Sequence, residues 1–241
     1  MPGKNPRTTD GDAANTDSRR YHHGDLAAAL VNAGLELARA GGPEALGLRE
    51  VTRAVGVTPN AAYRHFADRA GLVSAVAARA QQQVALAMEA RMAEPEPEPD
   101  PGARALRRLR AIGLAYIDFA VHEPGWFQLA FHTHEQFADS TDPEASGQRG
   151  APPFQLLVAA LNDLVNTGLL HPDRRPHAEW ACWAAVHGLS DLATRGPLHD
   201  QDPATIEQLA NYVVDRAITG VIAEDISSTP HHPRTTTQSS Q

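Results

Sequence analysis

The chain has 241 residues, 42% of them hydrophobic, a formal net charge of −8 and a single cysteine, Cys182. This supplies a substantial core in one or two compact units. It excludes a protein that coats nucleic acid over its whole surface and any intrachain disulfide. No run of about 18 apolar residues exists, so no membrane span is expected. The polar start MPGKNPRTTDGDAANTDSRR lacks the apolar stretch of a secretory signal, which predicts a cytoplasmic, bacterial-type protein.

Residues 1–18 mix Thr, Asp, Asn, Gly and Pro without periodicity and read as a disordered arm. Beyond them the pattern is helical almost throughout, with no alternating β-branched strand, so the fold class expected is all-α. Helix 1 is predicted over Asp25–Ala40. Leu26, Leu30, Ala33 and Leu37 share a face, Gly24-Asp25 offers a cap and Gly41-Gly42 a stop. Short helices follow over Leu48–Val55 and Pro59–Phe66, the second capped by Thr58, with Pro59 suited to the first helical position. A longer helix is predicted over Arg69–Met92.

Residues 94–101, EPEPEPDP, cannot continue a helix and read as a stiff spacer rising roughly 3.1 Å per residue. The spacer divides a domain over 19–80, whose last helix continues to about 93, from a second over 102–226. Further helices are predicted over 102–122, 124–132, 152–168, 176–195 and 203–224. The polar gap 133–151 is long for a connection in a compact domain, and residues 227–241 read as a disordered tail.

The informative stretch is LREVTRAVGVTPNAAYRHFADRAGLVSAV, residues 48–76. Val51 and Ala54 give the first short helix an apolar face. Gly56 permits a turn that a β-carbon would resist, and Val57 can plug the angle between the helices. This is the pattern of a helix-turn-helix, whose second helix has the diameter to enter the DNA major groove. Ala61 and Ala62 permit close approach. Asn60 can bond a base edge, and Arg64 can read guanine or clamp a phosphate. The Tyr63 hydroxyl and His65 can donate to phosphate, unless they are packed instead. Thr58, Pro59, Arg49 and Arg69 complete the expected DNA face, with Arg69 as a phosphate clamp. Residues 18–79 carry Arg19, Arg20, Arg39, Arg49, Arg53, Arg64, Arg69 and Arg79 against Asp25, Glu36, Glu44, Glu50 and Asp68, so the segment is net basic. Arg19 and Arg20, just before helix 1, are either a basic arm along the DNA backbone or a solvated cluster.

Gly56, Val57, Tyr63, His65, Phe66, Arg69 and Leu72 stand at the spacing that marks the DNA-binding domain of the tetracycline-repressor (TetR) family, which residues 21–76 resemble. Gly47 stands where that family often has Thr, and it carries no hydroxyl. The resemblance implies a homodimeric, one-component regulator, a repressor by family habit. It would bind a palindromic double-stranded DNA operator and be released by a small-molecule effector.

The second half resembles the family's ligand-binding and dimerisation domain, of the type marked by a Trp and a His-Gly pair, here Trp183 and His187-Gly188. Trp180, Trp183 and His187 share a helical face with Ser190 or Asp191 one turn on. With Trp126, Phe127, Phe131 and Phe154 they are the expected ligand pocket, the alternative being plain core. The last two long helices imply a four-helix dimer interface, with Leu189, Leu192, Ile206, Leu209, Val213 and Ala217 in it.

No glycine-rich phosphate loop, Gly-x-Ser-x-Gly elbow or metalloprotease motif is present, so no enzyme and no cofactor are expected. Two alternatives stay open. One is a metal-responsive regulator using His132 and His134, beside Glu135, although a solvated cluster is the preferred reading and no metal is expected. The other is a dimeric binding module without DNA contact.

Overall fold

The computed structural model describes residues 23–93, 100–131 and 152–223. Among these, all regular structure is helical: α1 (His23–Gly41), α2 (Leu48–Val55), α3 (Pro59–Ala62), α4 (Arg69–Met92), α5 (Pro101–His122), α6 (Pro124–Phe131), α7 (Pro153–Asn166), α8 (Ala178–Thr194) and α9 (Pro203–Ile222). Short 3-10 turns cover Gly42–Ala45 and Pro172–Arg174. The all-α expectation holds, with helix ends within a few residues of those read from the sequence. Five helices begin on proline, where the missing N–H leaves no bond unmade. Asp100 and Asp202 cap α5 and α9 by accepting from the backbone N–H of Ala103 at 2.7 Å and of Thr205 at 3.0 Å.

The chain folds as two compact units. The first takes the described residues 23–81 and 124–131, and the second the described residues 82–123 and 152–223. The first unit's share of α4 ends at Gln81, beside the domain end expected at 80 and ahead of the spacer. α4 is shared between the units, and α6 belongs with the N-terminal helices.

In the first unit the core is built from Leu30, Leu35 and Ala38 of α1, Leu46, Val51 of α2, Ala62 of α3 and Leu72, Val76 and Ala77 of α4. The buried stripe of α1 runs through Leu30 and Leu35. Leu26, Ala33 and Leu37 are half-buried beside it. α2 ends at Gly56, which adopts φ 78° and ψ 28° in the left-handed region. There the Val57 N–H reaches the Thr52 carbonyl at 2.9 Å, closing the helix end and turning the chain. Thr58 precedes α3 without a side-chain capping bond, contrary to expectation. α3 ends at Ala62 rather than Phe66. The chain then continues as a turn held by the Phe66 N–H on the Ala62 carbonyl at 2.9 Å.

α6 lies on the end of α1. The Trp126 indole N–H donates to the Leu35 carbonyl at 2.6 Å, and the Arg39 guanidinium sits 4.9 Å above the Trp126 ring. A β-carbon on Gly125 would fall 2.2 Å from the Ala38 carbonyl oxygen, so only glycine permits this approach. The Gln81 side chain donates to the Ala130 carbonyl at 3.0 Å, and Phe127 packs on Phe131 at 5.2 Å between ring centres.

In the second unit α5 is the central rod, in contact with α7, α8 and α9. Its residues 111–120 are buried save Asp118. Arg108 pairs with Asp163 at 2.8 Å, and Arg110 with Asp215 at 2.7 Å and with the Asn211 side chain at 2.6 Å. These pairs are half-exposed, so they orient α7 and α9 more than they stabilise them. Arg174 donates to the Gly220 and Val221 carbonyls, which have no intrahelical partner at the end of α9.

Arg69, expected on phosphate, faces the protein. Its Nε donates to the Leu46 carbonyl at 2.6 Å and its Nη2 to the Pro43 carbonyl at 2.9 Å. The Pro43 carbonyl also accepts from the Leu46 N–H at 3.2 Å within the 3-10 turn, and the guanidinium adds one bond to it and one to the Leu46 carbonyl. Arg69→Ala is therefore expected to lower folding stability by about 1–2 kcal/mol. Urea denaturation followed by circular dichroism measures this, and an unchanged midpoint contradicts it.

Candidate nucleic-acid interface and interior cavity

The outer surface of the helix-turn-helix follows from which side of α3 is spent on packing. Ala62 is fully buried, and Ala61, His65 and Phe66 are half-buried. Thr58, Pro59, Asn60, Tyr63 and Arg64 are exposed. Tyr63 is 54% exposed, which rules out the packed reading of its ring. Arg49 is exposed on α2, and beside it Glu50 and Arg53 form a solvated pair at 3.7 Å. The structure thus brings Thr58, Pro59, Asn60, Tyr63 and Arg64 onto one exposed surface. Arg69 is exposed as well but bonded to the Leu46 and Pro43 carbonyls, and Ala61 and His65 are half-buried. Arg19 and Arg20 lie outside the described residues.

In the second unit the side chains of α5, α7 and α8 form an aromatic cluster. The Tyr116 hydroxyl and His187 Nδ1 share a hydrogen bond at 2.8 Å. Trp183 stands 5.1 Å from Tyr116 between ring centres and stacks near-parallel to His187 at 6.4 Å. Phe154 packs against Trp183 at 5.5 Å and Trp180 at 5.1 Å. Burial, with the nearby Asp191 carboxylate, holds the Tyr116 phenol well above its ordinary range, so it stays protonated and can donate.

Beside this cluster is a cavity of about 20 Å³, lined by Met88, Ile112, Tyr116, Leu157, Trp183 and Ile218 among others, with no charged side chain in the wall. It has room for little more than one water molecule. Cys182 lies in the same wall. Burial and Glu179 push its thiol up to about 11, against a smaller lowering by Arg175.

Phe154, Trp180, Trp183 and His187 pack in one cluster, of which only Trp183 lines the cavity, and Trp180 is partly exposed. Trp126, Phe127 and Phe131 are not in this cluster, because α6 is core of the first unit. Asp191 pairs with Arg195 at 3.1 Å at the surface and does not line the cavity. The reading missed Tyr116. Its signal was a single phenol in an α5 stretch otherwise apolar on every side, which needs a polar partner when buried.

The expected dimer residues divide. Leu189 and Ile206 are buried within the chain, and Ala217 lines the cavity. Leu189 and Ile206 are thus spent on packing within the chain, whereas Ala217 is half-buried. Leu192 is exposed, and Leu209 and Val213 are half-buried. Beside them Ala181, Ala184 and Gly188 form an exposed row with Leu192 along α8, and Tyr212 is 65% exposed on α9. His132 and His134 lie outside the described residues, and no metal-ligating cluster occurs among those described. No helix among them is long and apolar enough to cross a membrane.

Comparison with known proteins agrees with this geometry. Residues 30–76 match the model of bacterial regulatory proteins of the tetR family. Residues 109–217 match that of the tetracyclin repressor-like C-terminal domain. No curated protein matches the chain. A Rhodococcus sp. RHA1 protein of unknown function aligns with TM-score 0.64 and 24% identity, over 85% of this chain and all of that one. A TetR family transcription regulator from Marinobacter aquaeolei VT8 aligns with TM-score 0.53 and 19% identity, over 78% of this chain and 93% of that one. A TetR variant from Acinetobacter baumannii AYE, in complex with minocycline, aligns with TM-score 0.50 and 18% identity, over 81% of this chain and 97% of that one. Those structures share the fold, and with both family models matched along its length the chain belongs to the TetR family of transcription regulators.

Proposed function

We propose that the protein is a homodimeric repressor that holds a palindromic operator and releases it when a small, neutral molecule enters the second unit. The observation that carries the DNA reading is the exposed row Thr58, Asn60, Tyr63 and Arg64, presented by a short helix whose other side is packed. Hydroxyls, a carboxamide and a guanidinium are the groups that contact phosphates and base edges. An exposed tyrosine at this place has no packing role.

The shortness of the recognition helix favours a dimer. One short helix touches few base pairs, and two copies about 34–36 Å apart meet successive turns of the same groove. The row Ala181, Ala184, Gly188 and Leu192, with Leu209, Val213 and Tyr212, is the surface proposed for pairing. Small side chains there let two helices approach closely.

The effector reading rests on the cluster around Tyr116. A largely apolar wall that holds the Tyr116 phenol, with His187 bonded behind it and no charge, suits a neutral ligand carrying one polar group. The minocycline complex of the Acinetobacter relative is a precedent for a small molecule on this fold.

The deciding experiment is selection of bound duplexes from a random pool by the purified protein at near-physiological salt. A palindrome is expected, and no enrichment by a folded dimer would defeat the DNA reading. On the selected duplex Tyr63→Ala is expected to weaken binding by roughly 1–2 kcal/mol with dimerisation intact, measured by fluorescence anisotropy. Ala184→Glu is expected to weaken the dimer by roughly 3 kcal/mol or more. Analytical ultracentrifugation reads this as monomer, and an unaltered dimer would move the interface elsewhere. Cys182 is buried and its thiol almost wholly protonated at neutral pH, so the ligand-free protein is expected to resist thiol alkylation at pH 7.5. Labelling as fast as in the urea-unfolded chain would show that the cavity is open.

A further inference from the structure

Of the arginines around the helix-turn-helix, Arg49 is exposed on α2, and the structure sorts four more. Arg69 is spent on the Pro43 and Leu46 carbonyls. Arg39 covers the Trp126 ring. Arg53 pairs with Glu50 on α2. Arg64 is exposed and makes no hydrogen bond or ion pair with any described residue, so its planar fork of donors is available to a ligand. Asn60 is in the same condition one turn earlier.

The exposed groups differ in what they can recognise. The hydroxyls of Thr58 and Tyr63 can each donate one bond, which suits a phosphate oxygen and carries no sequence information. A guanidinium meets guanine O6 and N7 with two parallel bonds, and a carboxamide meets adenine N6 and N7 in the same way. Four residues of helix advance about 6 Å, and the base pairs of B-DNA rise about 3.4 Å each. The Phe66 N–H on the Ala62 carbonyl keeps the chain helical enough past α3 for this spacing to apply at position 64.

From this we infer that, in each operator half-site, Arg64 reads a guanine and Asn60 an adenine no more than two base-pair steps away. The inference rests on the proposed DNA-binding reading and deepens it by naming the bases.

The test compares the duplexes selected by the wild-type protein, Arg64→Ala and Asn60→Ala, with the variants selected at reduced salt so that phosphate contacts retain binding. Arg64→Ala is expected to lose preference at one G·C pair and Asn60→Ala at one A·T pair, within two steps of each other. Substituting either base pair is expected to weaken wild-type binding about 5- to 150-fold, and to leave the matching variant unaffected. Both side chains are exposed, so unchanged thermal melting is expected and verifies that each variant is folded.

Variants that bind every duplex more weakly, with the wild-type motif intact, would place these side chains on the DNA backbone and overturn the inference. The DNA-binding reading would survive that result. Failure of the folded wild-type dimer to enrich any motif would overturn both.

Discussion

A helix of four residues has no stability of its own. Isolated helices shorter than about 12–15 residues are marginal in water, and α3 spans only Pro59–Ala62. Its position is imposed by its neighbours. Gly56 turns the chain at the end of α2 by taking a left-handed conformation. Pro59 fixes the first backbone angle of α3. Ala62 is buried in the first unit's core with Leu72 of α4. Arg69 ties the start of α4 to the linker before α2. The outward row Asn60, Tyr63 and Arg64 is ordered only because every other side of this short segment is committed.

The same accounting explains what was legible in the sequence. Helix starts were, because proline at a first helical position and aspartate at a cap act locally. Pro101 with Asp100 and Pro203 with Asp202 announce α5 and α9 without reference to anything distant. Gly56-Val57 was legible for the same reason. The short-range pattern Tyr63, His65, Phe66 and Leu72 placed the helix-turn-helix, and the exposed half of its surface is the half with polar chemistry.

What was not legible depends on contacts far along the chain. Nothing local to PGWFQLAF says which core it joins, because apolar residues occur on all sides of it. Its place is decided by the Leu35 carbonyl, ninety-one residues before Trp126. The charge of Arg69 was visible but its partners were not, since a guanidinium suits a phosphate and a backbone carbonyl equally well. Of the α9 residues expected at the dimer interface, Ile206 is buried by the chain's own packing, and Leu209, Val213 and Ala217 are only half covered.

The small size of the interior cavity bears on how an effector could act. A ligand shifts a conformational equilibrium only by its difference in affinity between the two states. A ligand that fitted both states equally well would move nothing. Here the free space is about 20 Å³, too little for a drug-sized molecule, so on the proposed effector reading its binding energy would act almost wholly on a more open form. Covering about 200 Å² of apolar surface supplies about 5 kcal/mol. That approaches the roughly 5.5 kcal/mol needed to move a two-state equilibrium from 1:99 to 99:1. On the proposed effector reading Tyr116 and His187 would set selectivity, because a ligand that parts them must replace the hydrogen bond it breaks, or leave a buried phenol unsatisfied.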